Sequence, residues 1–127
     1  MSMVDANIIL RYVLDDHVEL SPKAAEILEQ NVVTLPIEAA CEVVYVLQKV
    51  YAVERKDIQQ QLAGLLDENL IIMDKPMLFI KGLEYYSTST LDFVDSLLLA
   101  YHTVEKQEVF TFDDKLNKFI RRADNGK

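Results

Sequence analysis

Acidic residues stand beside apolar runs at four places in this chain: Asp5 in "VDANIILRYVLDD", Glu42 in "IEAACEVVYVLQKVY", Asp92 and Asp95 in "STSTLDFVDSLLLAYH", and Asp113 in "VFTFDDKL". Taken singly, each acid has a plain structural duty. Asp5 follows a short strand pattern and could cap the helix after it, and Asp113 or Asp114 could do the same for the last helix. Glu42 shares a helical stripe with Glu38, Tyr45 and Lys49, the pattern of a solvated, salt-bridged face. Asp92 falls at a helix start with Asp95 three residues on, which is capping-box spacing. Asp95 is the least ordinary. A stripe of Phe93, Val94, Leu97, Ala100, Tyr101 and Val104 places it on the far side of its helix, yet Leu98 and Leu99 flank it there. The helix is apolar nearly all round, so a carboxylate on it must be paired, hydrogen-bonded or bound to metal.

The ordered set suggests more than any member. Several carboxylates meeting in one crevice repel unless a hard cation lies between them, and an oxygen-only site suits Mg²⁺ or Mn²⁺. Such a cation, where bound, would activate a water for hydrolysis. His17 lies in a polar loop and reads as solvated, and His102 stands two turns beyond Asp95, too far along the axis to share its metal. No zinc spacing, phosphate-binding glycine loop or nucleophilic triad is present.

Elements must bring these acids together. The strand patterns are "MVDA", "VVTLP", "LIIMD" and "EVFTF", each short and apolar and each separated from the next by helical periodicity. In "LSPKAAEILEQ", Ser21 reads as an N-cap and Pro22 as the first helical residue. This alternation predicts an α/β domain with a mostly parallel sheet covered on both faces. Ligands of such sheets lie outside the carboxyl ends of the strands, where Asp5 and Asp113 would both project.

Composition narrows the class. The 127 residues are half apolar with 3 Gly and 3 Pro, which predicts one compact domain over residues 1–127. A net charge of −8 argues against a general electrostatic grip on nucleic acid, although a bound metal or a basic partner could reverse it locally. The single Cys41 cannot form an internal disulfide and reads as an inert core thiol, so the expected home is the cytoplasm. No apolar run reaches the roughly 18 residues of a membrane span. The helix around Glu42 offers Val43, Val46 and Val50 beside a core stripe of Ile37, Cys41, Val44 and Leu47. That surplus of apolar surface predicts a subunit interface and a homodimer.

In "VDANIILRYVLDD", "EVVYVLQKVY", "LDFVDSLLLAYH" and "VFTFDDKL", in that order, the chain resembles the PIN-domain ribonucleases, and among them the small VapC-like toxins of toxin–antitoxin pairs. The resemblance covers nearly the whole chain. It implies a three-layer fold with a central sheet of about four to five strands. It implies four catalytic acids at Asp5, Glu42, Asp95 and Asp113, of which Asp5, Asp95 and Asp113 hold Mg²⁺ or Mn²⁺, directly or through water. Asp92 becomes an auxiliary acid, Thr111 the small polar site residue, and Asn7 and Arg11 neighbours of the cleft. The implied activity is metal-dependent endoribonucleolytic cleavage, with RNA as substrate and a VapB-like antitoxin as partner. The chain ends without a clear last strand after "KFIRRADNGK". Two rivals are a phosphate-receiving signalling domain, for which Asp74 and Lys75 come from one turn, and a catalytically silent PIN-like interaction module.

Overall fold

The computed structural model describes residues 1–126 and falls into two compact units, 1–76 and 77–127. In the first, β1 (Ser2–Met3) runs parallel to β2 (Val33–Thr34), with Ser2 opposite Val33 and Met3 opposite Thr34. A third extended segment touches β2 through a single parallel bridge between Thr34 and Ile72. Its backbone bonds run both ways, Leu35 N to Ile72 O and Ile72 N to Val33 O, each 2.9 Å.

Four helices belong to the same unit: α1 (Ala6–Leu14), α2 (Leu20–Gln30), α3 (Ile37–Lys49) and α4 (Arg55–Asp67). Helix α1 packs on α2 and α3, and α3 packs on α4. The start of α2 differs from the sequence expectation. Ser21 lies buried inside its first turn, its hydroxyl accepting from His17 N at 3.1 Å. The amides of Glu19 and Leu20 donate instead to His17 Nδ1, at 3.3 and 2.9 Å. An imidazole thus satisfies donors that a hydroxyl was expected to take. On α3 the buried side chains are Ala40, Val43, Val44 and Leu47. Val43 therefore belongs to the core, and the exposed large apolar residues of this region are Tyr45 on α3 and Val50 at its C-cap, 63% and 66% exposed.

The second unit holds α5 (Pro76–Thr88), α6 (Phe93–Glu105) and α7 (Asp114–Asn125). The hydroxyls of Ser87 and Thr88 donate to Glu84 O, and that of Ser89 donates to Tyr85 O. These bonds satisfy the last carbonyls of α5 and make the Ser/Thr cluster a helix stop. Gly82 on α5 is buried, and a Cβ there would stand 2.7 Å from Leu97 Cδ2. A side chain at this position would have to displace the end of the Leu97 side chain. Helix α7 lays Phe119, Ile120 and Ala123 against a cluster of Leu91, Leu99 and Leu116, the i, i+3, i+4, i+7 face of an amphipathic helix.

Two expectations about this region change. On α6 the buried residues are Phe93, Ser96, Leu97, Leu99 and Ala100, while Val94 and Val104 are exposed. The core stripe is rotated from the predicted one because Ser96 enters it, its hydroxyl satisfied by Asp92 O at 3.0 Å. The chain is also mostly helical. Among the described residues only the two short parallel strands and the one bridge form, rather than four to five strands. Residues 108–112, "EVFTF", join no ladder. Their backbone is engaged locally, since Thr111 O accepts from Asn117 Nδ2 at 2.9 Å and Asp113 N donates to Thr111 Oγ1 at 3.0 Å. Side-chain bonds from the start of α7 thus compete with strand pairing.

Candidate active site

Asp5 sits at the N-cap of α1, where its Oδ1 accepts from Ile8 N at 3.2 Å. The predicted capping duty is real, but it occupies one oxygen of an exposed carboxylate and leaves the other available. Asn7 is exposed in the first turn of the same helix. One turn further, Arg11 donates to Asp16 Oδ1 at 2.8 Å and to Tyr51 Oη at 3.3 Å. The Tyr51 hydrogen bond, with the nearby Asp16 charge, holds its guanidinium above the ordinary pKa against a smaller opposing effect of burial. Glu42 lies exposed on α3. Cys41, one residue earlier, is half-buried, and burial followed by the charge of Glu38 pushes its thiol upward. A thiol so placed is a poor nucleophile at neutral pH.

The second unit gathers three acids. Asp92 takes the N-cap position of α6, yet its side chain makes no cap hydrogen bond; its carbonyl accepts from Ser96 N at 2.9 Å. The capping box expected between Asp92 and Asp95 is therefore not built. Asp95 is half-buried in the first turn. Burial lifts its carboxyl above the ordinary 3.8, the charges of Asp113 and Asp92 lift it further, and Lys115 opposes them. Asp113 caps α7, accepting from Leu116 N at 2.8 Å, while the Thr111 hydroxyl holds its backbone amide.

Lys115 was not singled out in the sequence, and only its place in "DDK" could have signalled it. Its ammonium donates to Thr90 Oγ1 at 3.1 Å and to Thr90 O at 3.4 Å. It ties α7 to the turn before α6, and its charge acts on Asp95 against those of Asp113 and Asp92.

Among the described residues, no three His, Cys, Asp or Glu side chains stand together in a metal-holding group. The donor chemistry still fits a hard cation. Every candidate ligand is a carboxylate oxygen, and the charges of Asp113 and Asp92 each act on Asp95 more strongly than that of Lys115. No helix among the described residues is long and apolar enough to cross a membrane.

Searches among curated proteins and among solved structures gave no match. The family model of the PIN domain matches residues 2–122, which takes in Asp5, Glu42, Asp92, Asp95, Thr111 and Asp113. PIN domains are usually metal-dependent nucleases, and this chain belongs to the PIN domain family.

Proposed function

We propose that this PIN domain is a metal-dependent endoribonuclease that acts as the toxin of a VapBC-type toxin–antitoxin pair. The observation that carries the nuclease reading is the PIN-domain match over residues 2–122, which takes in Asp92, Asp95 and Asp113. Burial first, then the charges of Asp113 and Asp92, disfavour the ionised Asp95, and Lys115 opposes them. Repelling carboxylates of this kind are maintained at a cost that cation binding removes.

Asp5, Asp95 and Asp113 are the residues that would hold Mg²⁺ or Mn²⁺. When bound, such an ion lowers the pKa of a water and neutralises charge on the scissile phosphate. Glu42 would hold the attacking water or help to accept its proton. Thr111 sets the backbone from which Asp113 projects, and Asp92 adds negative charge beside Asp95. Arg11, already oriented by Asp16 and Tyr51, offers a guanidinium to an RNA phosphate, with Asn7 as a hydrogen-bonding neighbour. The exposed Tyr45 and Val50 of α3 support a homodimer, which sedimentation showing only monomer at micromolar concentration would remove. A VapB-like antitoxin is the partner that the family resemblance suggests.

The purified chain should cleave a generic RNA with Mn²⁺ and stop when a chelator is added. Mn²⁺ should also raise the melting temperature, because a ligand that binds only the folded state stabilises it. Asp5→Asn should erase that gain while keeping the cap of α1, since Asn caps as well as Asp. An unchanged melting curve at millimolar Mn²⁺ would count decisively against the metal site.

A further inference from the structure

His102 lies in the last turn of α6, outside every role assigned above. Its Nδ1 stands 2.8 Å from Gln107 O, and its Nε2 stands 2.7 Å from Asp124 Oδ1 on α7. A backbone carbonyl can only accept, and an ionised carboxylate can only accept. Both contacts are hydrogen bonds only when both ring nitrogens carry hydrogen. A neutral ring would set a nitrogen lone pair against an oxygen lone pair at one of the two places. We propose that His102 is a pH-operated latch, whose protonated ring fastens the last turn of α7 to the end of α6 and whose deprotonation releases it.

The rest of α7 has other attachments. Its N-terminal end is held by buried Leu116 and by Lys115 on Thr90, so release affects the C-terminal turn first. The His102 side chain is 18% exposed and that of Asp124 is 50% exposed. Solvent can therefore reach the pair, while the ring stays partly desolvated. Other charged and titratable groups stand on the same elements. On α6, Lys106 Nζ donates to Thr103 O at 3.4 Å, and Glu105 precedes it. On α5, the Tyr85 hydroxyl donates to Thr103 Oγ1 at 2.9 Å, and Lys81 pairs with Glu84. On α7, the Arg122 guanidinium lies over the Phe119 ring, and Arg121 is exposed. Asp124 is the carboxylate whose oxygen stands within hydrogen-bond reach of Nε2.

The sign follows from linkage. Partners that accept from both nitrogens favour the charged ring, so the folded chain holds the proton to higher pH than the unfolded chain. The latch contributes fully below the unfolded midpoint of about 6.5 and is lost as pH rises through the folded midpoint.

Histidine resonances followed by NMR in the full chain test this directly, and the latch does not depend on the nuclease reading. The His102 midpoint should lie above that of the same residue in the urea-unfolded chain. Amides of residues 121–126 should lose protection across the same interval. Asp124→Asn supplies the decisive arm. The Asn amide can donate to Nε2 while a neutral ring still donates to Gln107 O, so the contact survives deprotonation. In that variant the pH-dependent loss of protection should disappear. A His102 midpoint at or below the unfolded value would overturn the latch, and so would an unchanged pH response in Asp124→Asn.

Discussion

Asp95→Asn is expected to lower RNA cleavage at least about a hundredfold, the scale on which catalytic groups act, while leaving the fold intact. Asn matches Asp in size, so no cavity opens in the first turn of α6. In chelator at neutral pH the variant should melt higher than the parent, because the ionised parent carries a charge that burial, Asp113 and Asp92 all disfavour. A carboxyl whose folded pKa is raised binds its proton more tightly in the fold. The parent therefore loses stability as pH climbs past the ordinary 3.8, through the window above it, and the penalty stays in place at higher pH. The advantage of the Asn variant should accordingly vanish in acid below that window. Asp92→Asn makes the control. It removes one of the two acids that act on Asp95 without touching a cap bond, so much activity should remain. Cleavage by Asp95→Asn near the parent rate would end the catalytic assignment. A melting temperature no higher than the parent's in chelator would end the electrostatic one.

Why Asp95 could be singled out from sequence, and Asp92 less surely, has a physical reason. A carboxylate among leucines is visible as a violation of burial, whatever its exact exposure. Whether a side chain at an N-cap position turns inward to bond is a rotamer choice that spacing does not determine, and Asp92 does not make that bond. Helices were legible from 3.6-residue periodicity, and among the described residues they fill the stretches between the strand patterns. The rotation of α6 did not follow, because Ser96 counts as polar until its hydroxyl finds Asp92 O. The strands were the least legible part. "EVFTF" has the composition of a strand, but strand formation needs a partner edge, and that information is not local. Its neighbour Asn117 bonds the Thr111 carbonyl instead. The capping imidazole of His17 was equally hidden, since a histidine before a Ser-Pro pair carries no capping signature.

Phe93→Ala should be the most damaging single change to the second unit. Phe93 is buried at the start of α6, between two rings that meet it edge-on: Phe79 at 5.8 Å and 85°, and Tyr86 at 5.7 Å and 86°. Truncation removes both aromatic contacts and leaves a cavity walled by two large, fully buried side chains that cannot easily collapse into it. Changes of this type cost about 3–5 kcal/mol, against a total stability of about 5–15 kcal/mol for a typical domain. Urea unfolding should show a midpoint lowered in proportion, with Phe93→Leu losing much less because it refills most of the volume. The consequence reaches the site through two residues of helix. Phe93 anchors the turn that carries Asp92 and Asp95, and burial is the largest influence on the Asp95 carboxyl. Loosening that anchor lets water in and draws the Asp95 pKa back toward its ordinary value. The Asp95 titration in Phe93→Ala should therefore move down even under conditions where the variant remains folded. A stability loss below about 1 kcal/mol, far short of the usual range for such a truncation, would show that the ring cluster does not anchor the start of α6.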